Sequence, residues 1–136
     1  ITNNAAVTFD QADSGTYAGS MSGTGSLTKS GAGAVTLAGS NSYSGGTTVS
    51  GGTLIGTTGS LQGAINNNAA VTFDQATNGT YAGNMSGSGS LTKSGTGTVI
   101  LSGSNSYAGG TTVSAGSLRG TTSSLQGAIT NNANVA

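Results

Sequence analysis

Residues 25–50 read Gly-Ser-Leu-Thr-Lys-Ser-Gly-Ala-Gly-Ala-Val-Thr-Leu-Ala-Gly-Ser-Asn-Ser-Tyr-Ser-Gly-Gly-Thr-Thr-Val-Ser. Residues 89–114 read Gly-Ser-Leu-Thr-Lys-Ser-Gly-Thr-Gly-Thr-Val-Ile-Leu-Ser-Gly-Ser-Asn-Ser-Tyr-Ala-Gly-Gly-Thr-Thr-Val-Ser. Within each stretch three short runs alternate apolar and polar residues, at 25–29, 34–38 and 47–50 in the first. Each run is β-branched or aliphatic and is bounded by Gly, Ser or Asn, which is the pattern of short strands between turns. No window carries a helical period, and Gly every few residues weakens any helix.

The two stretches belong to a longer unit. Ile1 recurs as Ile65 and again as Ile129, so the period is 64 residues. Residues 1–64 align with 65–128 without a gap and differ at 14 positions, and 129–136 begin a third copy. The apolar series Val7, Phe9, Tyr17, Met21, Leu27, Val35, Leu37, Tyr43, Val49, Leu54 and Leu61 is unchanged in the second copy. A flexible linker has no reason to keep an apolar skeleton in register. Ile55 alone among apolar positions becomes charged, as Arg119, which marks it as facing solvent.

Strands of about five residues in an array of fixed period imply an all-β β-solenoid. The unit divides into three coils, over 1–23, 24–45 and 46–64. At about 4.8 Å per coil this gives a rise of about 14 Å per unit and a rod of about 30 Å. Asn41 and Asn105 suit left-handed turn positions or side-chain ladders along the stack.

Composition excludes much chemistry. Gly, Ser, Thr and Asn supply 81 of 136 residues, while His, Cys, Glu, Pro and Trp are absent. Without Cys and His there is no disulfide and no ordinary zinc, haem or copper site. A Ser-His-Asp triad is ruled out for the same reason. Three cations and zero net charge cannot form a nucleic-acid stripe. No apolar stretch is long enough to cross a bilayer as a helix, and no basic n-region with an apolar h-region opens the chain. The chain reads as an internal piece of something longer.

The ionisable groups leave few candidates. Asp10 and Asp13 are close in sequence, but the second copy keeps only Asp74 and has Thr77 in the other place. These acids read as turn residues bonding nearby amides rather than as a hydrolase pair. One or two carboxylates also make a weak calcium site. Lys29 and Lys93 read as aligned surface gatekeepers against edge pairing, or as partners in weak ion pairs. The pair Thr47-Thr48 occurs once per unit with its members on opposite faces, so no threonine array on every coil is expected. Tyr17, Tyr43, Tyr81 and Tyr107 read as corner packing rather than sugar platforms. Asn78 and Asn84 sit in glycosylation-like triplets that the first copy lacks. No catalytic, cofactor-binding or metal-ligating residue is assigned.

Leu-Thr-Lys-Ser-Gly (27–31), Val-x-Leu-x-Gly-x-Asn-x-Tyr (35–43) and Gly-Gly-Thr-Thr-Val (45–49), with their counterparts in 87–118, closely resemble the autotransporter-associated β-strand repeat. That family occupies passenger regions of type V secreted proteins. The resemblance implies a right-handed parallel β-helix on the Gram-negative cell surface, anchored by an outer-membrane β-barrel that this segment does not contain. It implies a stalk that carries an adhesive or enzymatic tip, and it carries over no catalytic residue. The expected organisation is one continuous solenoid with copies over 1–64 and 65–128 and the start of a third at 129–136. Expected partners are neighbouring repeats, together with host-cell, matrix or self contacts, with no nucleic acid and no direct membrane insertion. The alternative is a self-assembling extracellular or biofilm fibre built by end-to-end stacking. A carbohydrate-active β-helix enzyme is the remaining reading.

Overall fold

The computed structural model describes the backbone of residues 1–135 and the side chains of residues 1–133. Among the described residues there are only strands and turns. The strands form three sheets, one on each side of a three-faced coil. On the first face lie β1 (Ala6–Asp10), β3 (Ser26–Ser30), β5 (Thr47–Val49), β7 (Ile65–Asn67) and β10 (Met85–Ser86). The second face orders β2 (Gly15–Tyr17), β4 (Ala34–Leu37), β6 (Thr53–Gly56), β8 (Ala70–Asp74), β11 (Ser90–Ser94), β13 (Thr111–Val113) and β15 (Ile129–Asn131). The third holds β9 (Gly79–Tyr81), β12 (Thr98–Leu101), β14 (Ser117–Gly120) and β16 (Asn134–Val135). Every neighbouring pair is parallel, as stacked coils require.

The alternation read in the sequence sets which side chains enter. In β3 Leu27 and Lys29 point inward and Thr28 outward; in β4 Val35 and Leu37 point inward. Inward residues stack on inward residues: Val7 on Leu27, Val35 on Leu54, Leu54 on Val71 and Val71 on Leu91. Met21, Leu27, Val49, Leu54, Leu61, Val71 and Phe73 are buried without residual exposure. Each such aliphatic contributes about 1.5–3 kcal/mol, so a core one side chain deep per strand still holds a long rod. Ile55 and its counterpart Arg119 both point outward, as expected.

The corners need residues without a Cβ. Gly52 has φ +63°, and a Cβ there would lie 2.2 Å from the Gly33 carbonyl oxygen of the coil below. Only glycine meets both conditions at no cost. Left-handed φ is confined to glycine among the described residues, so Asn41 and Asn105 do not adopt the left-handed turn expected of them.

The coils are shorter than the sequence division gave. Ladder partners are 17 to 20 residues apart: Val7 pairs with Leu27, Thr47 with Ile65 and Leu54 with Val71. A 64-residue unit is therefore three coils and one further face. Each strand of the first copy has its counterpart on the next face: β1 and β8, β2 and β9, β3 and β11, β4 and β12, β5 and β13, β6 and β14. Successive units turn by a third of a revolution and rise about 16 Å, at about 4.8 Å per coil. Lys29 and Lys93 consequently lie on different faces rather than along one side.

Candidate functional site

The corners that follow β3 and β11 hold the two most distinctive groups. Lys29 and Lys93 are both 0% exposed, which corrects their reading as surface gatekeepers. The Lys29 ammonium donates to the carbonyl oxygens of Ser30, Gly31 at 2.9 Å and Gly51 at 3.1 Å. Lys93 repeats this with Ser94, Gly95 at 2.9 Å and Ala115 at 3.3 Å. Three donor protons meet three carbonyl acceptors that the turn takes out of the ladder. Burial lowers the pKa of each lysine, and the charge of Asp10 or Asp74 opposes that shift. Each lysine is a clip between one corner and the next.

Buried asparagines make a second set of links. Asn41 accepts the Met21 N–H at 2.8 Å and donates to the Ser60 carbonyl at 3.0 Å, joining the coils on either side. Asn105 does the same between Met85 and Ser124. The side chains bond backbone, not one another, so the expected ladder is a relay of amide-to-backbone bonds. Asn3 and Asn67, which the sequence reading passed over, each bond the coil above through Ser26 or Ser90. Asn78 and Asn84 accept N–H bonds from Thr98 at 2.8 Å and Ser104 at 2.9 Å. No buried side-chain nitrogen or oxygen among the described residues lacks a partner.

Tyr43 and Tyr107 lie between strands at corners, whereas Tyr17 and Tyr81 are the last residues of β2 and β9 and pair in the ladder with Leu37 and Leu101. Tyr43, Tyr81 and Tyr107 are buried, and Tyr17 is half-buried at the first coil. The Tyr43 and Tyr107 hydroxyls bond the inward hydroxyls of Thr47 and Thr111 at 2.6 Å. Burial raises the pKa of Tyr43, Tyr81 and Tyr107. No sugar could lie flat on a ring that the coil already covers.

The carboxylates do not converge. Asp10, Asp13 and Asp74 are exposed. Asp10 ends β1 beside Ser30, whereas Asp74 ends β8 beside Ser94 on the next face, three ladder steps on.

One outward feature departs from expectation. The central outward column of the second face runs Thr16, Thr36, Ile55, Thr72, Thr92, Thr112 and Thr130. A threonine therefore recurs on every coil but one. The rotation by one face per unit brings threonines from unrelated motif positions into one column, which sequence spacing alone conceals. The chemistry on offer is uncharged and hydroxylic.

Against known proteins, residues 27–55 and 91–119 each match the family model described as the passenger-associated-transport-repeat. Both matched segments run from the lysine strand through the buried Asn and Tyr to the outward position of Ile55 or Arg119. No curated protein and no solved structure matches the chain.

Proposed function

From two passenger-associated-transport repeats, which mark an autotransporter passenger region carried to the cell surface, we propose that this chain is a length of stalk extending an adhesive or otherwise active tip from a Gram-negative outer membrane. The observation that carries the reading is the second face. Its seven strands run through both copies without a break, and β6 of the first copy pairs directly with β8 of the second. Coil-to-coil hydrogen bonds, lysine clips and the thin core then act along a single axis. Contacts only between adjacent coils let folding propagate as the chain emerges.

Units are interchangeable because the ladder does not distinguish one copy from the next. Length is set by repeat number, and no unit needs chemistry of its own. Inserting one 64-residue unit into the parent passenger should lengthen the rod by about 16 Å and turn everything beyond it by a third of a revolution. Inserting three units should lengthen it further and restore the original facing. Electron microscopy of tip-labelled rods reads both quantities. Deletion of a unit that leaves the rod folded but abolishes adhesion would place the adhesive surface in the repeat and defeat the stalk reading.

A further inference from the structure

The asparagines of the coil corners fall into two classes by what the side-chain nitrogen does. Asn3, Asn41, Asn67 and Asn105 are buried, and each donates through Nδ2 to a carbonyl of the adjoining coil, at Ser26, Ser60, Ser90 and Ser124. Their Oδ1 atoms accept backbone N–H groups as well, so both ends of these amides are committed. Asn4, Asn68, Asn78 and Asn84 are exposed. Their Oδ1 atoms accept the N–H groups of Thr24, Ser88, Thr98 and Ser104. No Nδ2 of this second class meets a partner among the described residues, and each is left to solvent.

Two members of the exposed class carry a hydroxyl two residues on. In Asn78-Gly79-Thr80 and Asn84-Met85-Ser86 the asparagine and the hydroxyl residue are exposed, while Met85 between the second pair is 1% exposed. The alternation that opens β9 and β10 therefore shows amide and hydroxyl on one side. Asn4 and Asn68 are each followed by two alanines instead. The Asn84 corner also leaves room for a bulky group. Gly63, Gly83 and Gly103 stack there coil on coil, and none presents a side chain.

We propose that Asn78 and Asn84 are sites of N-linked sugar attachment. The donor is a diphosphate-activated sugar, and the catalyst is a transferase that reads Asn-x-Ser/Thr. Nδ2 bonds to the anomeric carbon, and the bond from that carbon to the diphosphate oxygen breaks. The diphosphate leaves with the bonding electron pair, and the amide gives up one proton. Nothing is oxidised or reduced. The product keeps Oδ1, so the bonds from Thr98 and Ser104 survive and the sugar points away from the rod. Asn78 precedes β9 and Asn84 follows it, so the two sugars bracket one face of a single coil.

Such a coat supplies what the composition withholds. The chain has three cationic and three acidic side chains and no net charge. Hydrated sugars keep neutral rods apart where like charge does not. The first copy has Ser14 and Ser20 at the two positions, with Thr16 and Ser22 still in place. The sugars therefore mark one unit and not its neighbour. The proposal is independent of the stalk reading, which concerns the ladder inside the rod.

Peptide-resolved mass spectrometry of the passenger recovered from its own cells tests this, with electron-driven fragmentation to place each sugar on a residue. The expected result is sugar on Asn78 and Asn84 and none on the matching first-copy peptides, where Ser14 and Ser20 stand. Thr80→Ala and Ser86→Ala keep each asparagine and its backbone bond. Each should lower occupancy of its own asparagine on the order of tenfold or more, because a site built to hydrogen-bond a hydroxyl rejects its absence. Each should leave the other asparagine unchanged. Circular dichroism of each variant verifies the fold. Bare asparagines at both positions overturn the proposal and leave Asn78 and Asn84 as backbone links alone. Sugar carried on the Thr80 or Ser86 oxygen overturns it too, as does occupancy that neither alanine variant lowers.

Discussion

The Lys29 ammonium and the Gly51 carbonyl, one coil apart, meet at 3.1 Å inside the corner. The ladder bonds of β3 and β5 run only from Leu27 to Lys29 on one strand and Thr47 to Val49 on the other. Beyond them the backbone turns, and its carbonyls lose their partners in the sheet. The lysine carries three donors on a long stem into that gap, so a charged side chain does at the corner what amides do along the face.

Replacing Lys29 with Met sets two effects against each other. The apolar side chain escapes the cost of burying an ammonium, but it leaves the carbonyls of Ser30, Gly31 and Gly51 without that donor. Unsatisfied buried acceptors cost about 1–3 kcal/mol each, and the corner relaxes enough to rehydrate some of them. A net loss of about 2 kcal/mol is expected. Urea unfolding gives the total, and hydrogen exchange should show faster opening at residues 30–33 and 50–53 than elsewhere. An unchanged midpoint would mean that water serves the corner as well as lysine does.

Alkaline pH separates the lysines from the tyrosines. Burial holds Lys29 and Lys93 below their ordinary pKa of 10.5 in the folded chain. Between the folded value and 10.5 the unfolded chain binds more protons, so this contribution makes stability rise with pH. Tyr43, Tyr81 and Tyr107 lie above their ordinary 10.0. Above 10.0 the folded chain keeps protons that the unfolded chain has lost, so their contribution falls with pH. Wild-type stability should pass through a maximum near pH 10. In a Lys29→Met, Lys93→Met chain the rise should vanish while the tyrosine-driven fall remains. Persistence of the rise in that variant would show that the lysines are not its source.

Much of this architecture is legible in the chain. Alternation in Gly-Ser-Leu-Thr-Lys and Ala-Val-Thr-Leu-Ala fixes the strands, and the retained apolar series names the core from Met21 to Leu61. Ile55 facing outward follows from Arg119. The burial of Lys29 was also within reach, because the same alternation that sends Leu27 inward sends Lys29 inward two residues later. Charge argued the other way, and the three carbonyls that settle the matter come from Ser30, Gly31 and the distant Gly51. The rotation by one face was not within reach. It depends on coil length, which shortens where the turn at 57–61 folds on itself through Ser60, and no local pattern reports that contraction. The threonine column and the separation of Lys29 from Lys93 both follow from it.

Asn41 offers a test of the buried relay that carries its own control. Its Oδ1 accepts from Met21 and its Nδ2 donates to Ser60. In Asn41→Asp a carboxylate would keep the first bond and face the Ser60 carbonyl with no proton to give. Protonation restores the donor, so the folded state raises the carboxyl pKa above its ordinary value of about 3.9. The variant should therefore approach wild-type stability in acid and lose it as pH rises through the folded pKa. A loss of about 3 kcal/mol relative to wild type is expected at pH 7. Parallel pH profiles for variant and wild type would place Asn41 outside the buried relay.

Leu27 and Ile55 test the inward and outward assignments together. Leu27 is buried between Val7 and Thr47 of the adjoining coils. Leu27→Asp puts a carboxylate there with no cation or donor left over, because the Lys29 ammonium is committed to three carbonyls around the corner. Such burial costs more than about 4 kcal/mol, and the opening should spread to β1 and β5 before the distal coils, since each coil leans only on its neighbours. Ile55→Arg introduces a larger and more polar side chain one coil further along the rod, yet it points to solvent between Thr36 and Thr72. It should shift stability by less than about 0.5 kcal/mol. Thermal unfolding followed by circular dichroism compares the two. Equal losses in both variants would mean that the face assignment in β3 or β6 is wrong.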